Sequence, residues 1–342
     1  MKWKKRSEHR ISSQLRHSLP GKTHVTYRRL NFYPMKKLFA GIIFLYTLSF
    51  SFAQSNESPK VYLPGSVSSG YNERDMAISP DGKEMFYTIQ ALRSGVSVII
   101  RRTSADQWKN GEAASFSGQY SDLEPAFSPD GGKLFFVSNR PVTAGTQKTD
   151  FDIWYVEKKG NGWSEPIHAG MEINSAEDEW YPSVTNDGSV YFTGVRTDVL
   201  GKEDIYRAQW KNGKFETPVN IGGGVNSKLD EFNAYIDPKE QYILFSAEGG
   251  EGDLGRGDLY ISHRNADGSW GKAKNLGAAV NSNRLDYCPF VYKDVFYFTS
   301  DRPGSQPESR KMNFSDIRKK LDSWGNGWGD IYSMPATTII KE

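Results

Sequence analysis

The chain contains many short segments in which aromatic or aliphatic residues alternate with polar ones, separated by turn-forming residues. A period of two is typical of β-strands that are buried on one face. Five such segments are especially rich in Phe and Tyr: 85–87, 134–136, 190–192, 242–245 and 296–298. This pattern predicts an all-β protein.

A tight turn precedes each aromatic segment. Its clearest copies are Ser79-Pro80-Asp81-Gly82 and Ser128-Pro129-Asp130-Gly131. Pro presets its own φ and Gly accepts positive φ, so the motif favours a β-hairpin. Weaker copies occupy 183–188, 235–239 and 290–294. The chain is therefore built from five copies of one repeat.

Each copy continues with a predicted third strand, and four of these strands open on an acid: Asp152, Asp204, Asp258 and Asp330. A fourth strand is predicted near an aromatic residue in the first four copies: Trp108, Trp163, Phe215 and Trp270. Three copies then share an Asn-Ser ending, at 174–175, 226–227 and 281–282. The repeat is thus a four-stranded unit, and we expect the acids that open its third strands to make structural bonds between neighbouring blades.

The fifth copy has no fourth strand after Asp330, but residues 61–69 resemble 275–282 and precede the first copy. We therefore predict a five-bladed β-propeller of four-stranded antiparallel blades over 59–338, whose last blade is closed by the N-terminal strand. The blades are expected to start near 71, 120, 177, 229 and 284. A linear array or a sandwich is the alternative.

Residues 122–154 carry a recognisable version of the repeat: Glu124-Pro125-Ala126-Phe127-Ser128-Pro129-Asp130-Gly131, then Ser138-Asn139-Arg140, then Asp152-Ile153-Trp154. This resembles the TolB-like, WD40-like β-propeller repeat, and the resemblance covers about 59–335. It implies an exported bacterial propeller. We find no counterpart of the TolB partner region or of a peptidoglycan-binding domain, so we infer no role in the Tol system.

Residues 35–53 have the layout of a secretory signal peptide, with Lys36 and Lys37 before an apolar run and a small-residue site at 51–53. A retained signal anchor is the alternative. Residues 1–34 are predicted to be a non-native or disordered basic extension. Residues 1–53 contain 11 of the 43 Lys and Arg but one of the 41 Asp and Glu. The remainder has 32 basic and 40 acidic residues, a formal charge of −8, which gives nucleic-acid binding no electrostatic basis.

Histidine and cysteine are scarce after residue 53, where only His168, His263 and Cys288 remain. We therefore predict no cofactor, no metal site and no catalytic residue. A single cysteine excludes an intrachain disulfide.

An acid recurs at one position of all five copies: Glu73, Asp122, Glu179, Glu231 and Asp286. In a propeller this position lies near the rim of the central channel. Arginines follow the second strand in four copies: Arg93, Arg140, Arg196 and Arg302. We consider both sets candidates for ligand or cation binding, with a structural role in blade spacing as the favoured alternative.

The fifth copy carries an insertion, 303–327, in which residues 313–324 suit a short amphipathic helix that Ser315-Asp316 can begin. Candidate partner contacts are Arg310, Lys311, Phe314, Arg318 and Trp324. Packing of the insertion on its own blade is the slightly favoured alternative.

These features favour an exported, periplasmic or extracellular, non-catalytic binding or scaffold module for a protein, peptide or cell-envelope glycan. We expect a monomer without a membrane span in the mature chain. Two alternatives remain: a carbohydrate-active enzyme that uses carboxylates at the channel mouth, such as Glu179 and Glu231, and a lectin-like sugar-binding propeller.

Overall fold

A computed structural model describes residues 58–91, 95–143, 145–146, 148, 150–304 and 310–340. The predicted signal peptide and the basic extension lie outside these residues, as does Arg93. The described chain forms five antiparallel four-stranded sheets arranged in a ring. The predicted five-bladed propeller is confirmed.

The innermost strand of each blade begins at the recurrent acid or one residue before it. In blades 1 to 5 these strands are Glu73–Ile78, Asp122–Phe127, Glu179–Val184, Asp230–Ile236 and Asp286–Tyr292. We call the side of the ring where they begin the entry face. The side where they end in hairpin turns is the turn face.

The second strands hold the predicted aromatic segments: Glu84–Ala91, Lys133–Ser138, Val190–Gly194, Tyr242–Glu248 and Val295–Ser300. The third strands are Val96–Thr103, Asp152–Lys159, Asp204–Ala208, Asp258–His263 and Asp330–Pro335. One phenylalanine on each second strand is at most 1% exposed: Phe86, Phe136, Phe192, Phe245 and Phe298. The core therefore lies between neighbouring blades, where these rings pack.

The outer strands are shorter than the sequence suggested, at two residues each: Glu112–Ala113, Ile167–His168, Val219–Asn220, Lys274–Asn275 and Lys60–Val61. The aromatic residues expected to open them lie just before them. Trp163 and Phe215 belong to the added pairings Gly162–Trp163 and Trp210–Lys211 with Lys214–Phe215. Two 3-10 turns occupy Ser104–Asp106 and Ala336–Thr338.

The N-terminal strand completes the last blade. Lys60 pairs with Ser333 and Val61 with Tyr332, next to the third strand of blade 5. The closure predicted from the split repeat is confirmed. It covers the outer edge of the third strand of blade 5 with a strand from the other end of the described chain.

The insertion of blade 5 contains the helix Phe314–Leu321, shorter than the predicted 313–324. Asn313 caps it, because its side chain accepts from the Asp316 N–H while the Asp316 carboxylate accepts from the Asn313 N–H. The expected cap at Ser315-Asp316 is thus displaced by two residues. The insertion lies on the entry face, where Asn326 donates to the Gly70 carbonyl at 3.0 Å.

Candidate functional site

The five recurrent acids occupy corresponding positions on the entry side, and all are at most 2% exposed. Four accept from a serine four residues earlier, through its N–H and its hydroxyl: Glu73 from Ser69, Glu179 from Ser175, Glu231 from Ser227 and Asp286 from Ser282. The backbone N–H distances are 2.6 to 3.1 Å. These carboxylates hold the segment that enters each blade.

Asp122 differs because Gly118 stands where the other blades have serine. Arg140 donates to its Oδ1 at 2.6 Å. Its Oδ2 is buried and lacks a hydrogen-bond partner among the described residues. Blade 2 therefore keeps the guanidinium contact but lacks the serine contact of the other blades.

The predicted arginines stand beside the acids in blades 2, 3 and 5. Arg302 and Arg196 donate to Asp286 and Glu179, the latter at 3.5 Å. Each also donates to a carbonyl of the preceding segment, as Arg302 does to Val280 at 2.6 Å and Arg140 to Phe116 at 2.9 Å. The arginines thus join the loop from the previous blade to the next innermost strand.

Blade 1 uses an arginine that sequence reasoning missed. Arg102, on the third strand, donates to the Ser66 carbonyl at 2.6 Å and to the Trp108 carbonyl at 2.8 Å. Its charge also favours the ionised form of Glu73. No repeat position marks this residue, so only the fold reveals its role.

Burial raises the pKa of three of these acids in spite of their hydrogen bonds: Glu73, Glu231 and Glu179, the last to about 7. Their acceptor oxygens face serine hydroxyls and backbone N–H groups. Ligand or cation binding by the acids and arginines stays a prediction. Any such ligand would compete with these internal bonds.

The third-strand acids were expected to make blade-to-blade bonds, but they bond within their own blades. Asp258 accepts from Leu254 N at 3.0 Å and from Asn275 Nδ2 at 2.8 Å. Asp152 lies 3.0 Å from His168 Nε2. The contact with Asp152 gives His168 a structural role within blade 2.

A second ring of residues lies two positions after the acids and was not predicted as a unit. Each innermost strand shifts register here, and the residue at the shift has a φ between 49° and 60°. The five residues are Asp75, Glu124, Tyr181, Asn233 and Cys288. These bulges turn the side chains toward one another at the centre of the ring.

We call these five residues and Arg74 the central cluster. Arg74 donates to Asp75 and, at 2.6 Å, to Glu124. Cys288 Sγ donates to Asp75 Oδ1 at 3.1 Å, and the Tyr181 N–H donates to Glu124 at 2.6 Å. The cluster fills the channel centre with five different side chains and one buried ion-pair network.

Burial raises the pKa of Glu124, with Arg74 opposing the shift, and raises that of the Cys288 thiol well above its usual value. A thiol held in this way is a poor nucleophile. On the turn face a cavity of about 330 Å³ leads to the cluster, lined by Met76, Pro125 and Pro289.

The insertion presents its candidate contacts to solvent. Phe314 is 75% exposed, Leu321 59%, and Trp324 36%. None of the helix residues is buried. The insertion nevertheless closes near its junction with its own blade, where the Gly304 N–H donates to the Gly325 carbonyl at 3.1 Å, so the choice between partner contact and packing stays open. Arg310, Lys311 and Arg318 are near this face in sequence, and Arg310 pairs with Asp316 at 2.8 Å.

Among the described residues, no group of three His, Cys, Asp or Glu side chains is arranged to hold a metal ion. No helix within the described part of the chain is long and apolar enough to cross a membrane.

The fold and these sites define a β-propeller with a polar centre and a decorated fifth blade. A solved structure described as an RGII complex shares this fold, with a TM-score of 0.50 and 11% identity over 81% of this chain and 92% of that one. TolB from Acinetobacter baumannii aligns with a TM-score of 0.43 and 13% identity over 77% of this chain. This chain spans 54% of that TolB.

An α-L-arabinofuranosidase from Lactobacillus brevis also aligns, with a TM-score of 0.46 and 11% identity over 79% of this chain and 92% of that one. The predicted resemblance to TolB-like propellers is confirmed for the fold. No family model matches the chain, and no curated protein matches it.

Proposed function

We propose that this chain is an exported, non-catalytic binding module whose propeller presents the helix of blade 5 to a protein partner. The observation that carries the proposal is the unpartnered apolar face of that helix. We call Phe314, Ile317, Leu321, Trp324 and Trp328 the helix patch; each is at least 36% exposed.

Clustered exposure of this kind is unusual on a monomer and is typical of interaction surfaces. Aromatic side chains dominate the energetics of most protein interfaces. The helix patch contains three of them within fifteen residues of sequence.

Charge indicates the chemistry of the partner. Arg318, Lys319 and Lys320 lie in the last turn of the helix, and the chain after residue 53 has a formal charge of −8. A basic patch on an acidic body favours an acidic partner and orients its approach. We therefore infer a protein surface with carboxylates around an apolar centre.

The alternative of a carbohydrate-active enzyme receives less support from the site. Glu179 and Glu231 each accept from a serine hydroxyl and a backbone N–H. A general acid or nucleophile must instead reach the substrate. Peptide or glycan partners at the helix patch are distinguished by the experiment below.

The test is site-specific photo-crosslinking in the source cells. A photoreactive residue replaces Leu321, which is 59% exposed, or Val219, a matched control on blade 3 that is 58% exposed. We expect a discrete, protease-sensitive adduct from position 321 and none from 219. The triple change Arg318→Glu, Lys319→Glu and Lys320→Glu should abolish that adduct without changing the melting temperature.

Absence of an adduct at 321, or equal adducts at both positions, would overturn the proposal. An adduct that resists protease but is removed by lipid extraction or by glycosidases would indicate that the partner is a membrane or a glycan rather than a protein.

A further inference from the structure

The aromatic residue that precedes the outer strand packs between neighbouring blades, and its surroundings in blade 3 differ from those in blades 2 and 4. This position lies far from the helix patch along the chain. Trp163 fills the space between blades 1 and 2, with its ring centroid 6.1 Å from Phe86 and 5.9 Å from Phe127. Trp270 packs between blades 3 and 4, 6.4 Å from Tyr191. Between blades 2 and 3 the corresponding residue is Phe215, whose smaller ring fills less of the space.

The residue paired with this aromatic also changes. Lys158 is the cross-strand partner of Trp163, and its Nζ lies 4.5 Å from the ring centroid. Arg264 pairs with Trp270 and lies 4.7 Å from its ring. In blade 3 the partner of Phe215 is Trp210, which contacts it at a centroid distance of 4.7 Å.

Trp210 is 38% exposed, although it packs over Gly188 at the turn of the same blade. Beside it lies a cleft of about 670 Å³ on the turn face between blades 2 and 3. Tyr155 and Phe135 form another part of its wall, with ring centroids 5.4 Å apart. The cleft therefore has aromatic walls contributed by two blades.

Polar groups of both signs surround these rings. Lys214 lines the cleft as a donor and Asp130 as an acceptor. Lys133 and Asp187 also line it, but Lys133 Nζ pairs with Glu157 at 2.6 Å and Asp187 Oδ2 with Arg207 at 3.3 Å. Hydrogen bonds within its own turn lower the pKa of Asp130. Burial opposes the same effect at Asp187, but the hydrogen bonds of its turn still lower its pKa. Both carboxylates are therefore ionised at neutral pH. The turn occupies one oxygen of Asp130, and Oδ2 has no hydrogen-bond partner among the described residues.

A peptide that adds to a sheet edge needs unpaired backbone groups. Here the turn N–H groups are already used: Gly132 donates to Asp130 at 2.9 Å, and Ser189 donates to Asp187 at 3.0 Å. Recognition must therefore come from side chains. Aromatic surface among charged donors and acceptors suits a pyranose, which has apolar C–H faces and hydroxyls that both donate and accept.

We propose that the cleft between blades 2 and 3 binds a short neutral oligosaccharide, with Trp210 as its platform. This site is separate from the helix patch, and it is a single site rather than one per blade. In blades 2 and 4 the position of Trp210 is taken by Lys158 and Arg264, which lie against the rings of Trp163 and Trp270.

The test is a titration of the purified full chain, followed by intrinsic fluorescence and by calorimetry. The probes are cellotetraose, maltotetraose, xylotetraose and chitotetraose. A short proline-rich peptide tests whether the cleft binds a peptide instead. The Trp210→Lys variant gives blade 3 the lysine found in blade 2 and should fold normally. Tyr71→Ala is the matched control, because Tyr71 is an aromatic residue that is 66% exposed on the entry face and lies outside the helix patch.

We expect saturable binding of at least one tetrasaccharide, at least about tenfold weaker in Trp210→Lys and unchanged in Tyr71→Ala. The proposal is overturned if no tetrasaccharide binds, if Trp210→Lys binds as tightly as the parent, or if the peptide binds instead. Photo-crosslinking at position 321 is independent of these outcomes, so either proposal can fail alone.

Discussion

Ser68 Oγ accepts a hydrogen bond from the Ile331 N–H and donates one to the Ile331 carbonyl, both at 3.1 Å, across 263 residues of sequence. In blade 2 the Asn174 side chain makes the same pair of contacts with Ile153, at 2.8 and 3.0 Å. Asn226 and Asn281 repeat this in blades 3 and 4. Ser68 is thus the N-terminal member of a repeated contact, and it joins the two ends of the propeller.

We expect Ser68→Ala to lower the free energy of unfolding by about 1–3 kcal/mol, because it leaves the buried Ile331 N–H without its partner. The Ile331 carbonyl keeps its hydrogen bond from the Tyr62 N–H at 2.8 Å. Denaturant unfolding of both proteins measures this. Ser315→Ala, on the exposed helix, is the control and should change stability by less than about 0.5 kcal/mol. Equal stability of Ser68→Ala and the parent would contradict the role of Ser68 in closing the ring.

The blades and their closure could be predicted because strand alternation and turn chemistry are local and recur five times. The central cluster could not be predicted as a unit. Its positions require positive φ, yet Asp75, Tyr181 and Cys288 share no chemistry that signals such a backbone. The Arg102 contacts and the exposure of the Phe314 side chain depend on how distant segments meet, which no local pattern records.

Arg74 is the cation that pairs with both carboxylates of the central cluster, Asp75 and Glu124. Arg74→Met would leave Glu124 and Asp75 buried without their guanidinium, and we expect a loss of about 3–5 kcal/mol. The double variant Arg74→Met, Glu124→Gln should recover part of that loss, since it removes one of the stranded charges. A double-mutant cycle in denaturant measures the coupling. Independent, additive effects would show that the 2.6 Å contact between Arg74 and Glu124 contributes little.

Cys288 should be inert in the native state. Its thiol is 2% exposed, and burial raises its pKa, so thiolate is scarce and shielded. We expect alkylation by iodoacetamide only at the rate at which the propeller opens, and rapid alkylation in denaturant. Met171→Cys, at a position that is 71% exposed, supplies a reactive thiol in the same protein. Comparable labelling of both cysteines in native protein would refute the buried arrangement.

Glu203 should make stability fall as the pH rises toward neutrality. Burial, with Asp230 and Asp178 adding to it, raises its pKa from 4.5 to about 7. Between these values the folded state holds a proton that the unfolded state has released, so this contribution is complete below about pH 4.5 and is lost as the pH rises through about 7. Glu179 and Asp330, also shifted to about 7, act in the same direction.

Glu203→Gln should therefore reduce the fall in stability between pH 5 and pH 8 and should be more stable than the parent at pH 8. Urea unfolding at a series of pH values measures this. Glu165→Gln, at an exposed position, is the matched control and should reproduce the parent profile. An unaltered profile in Glu203→Gln would mean that Glu203 is already ionised in the folded protein near pH 5, and that its carboxylate is better solvated than its surroundings indicate.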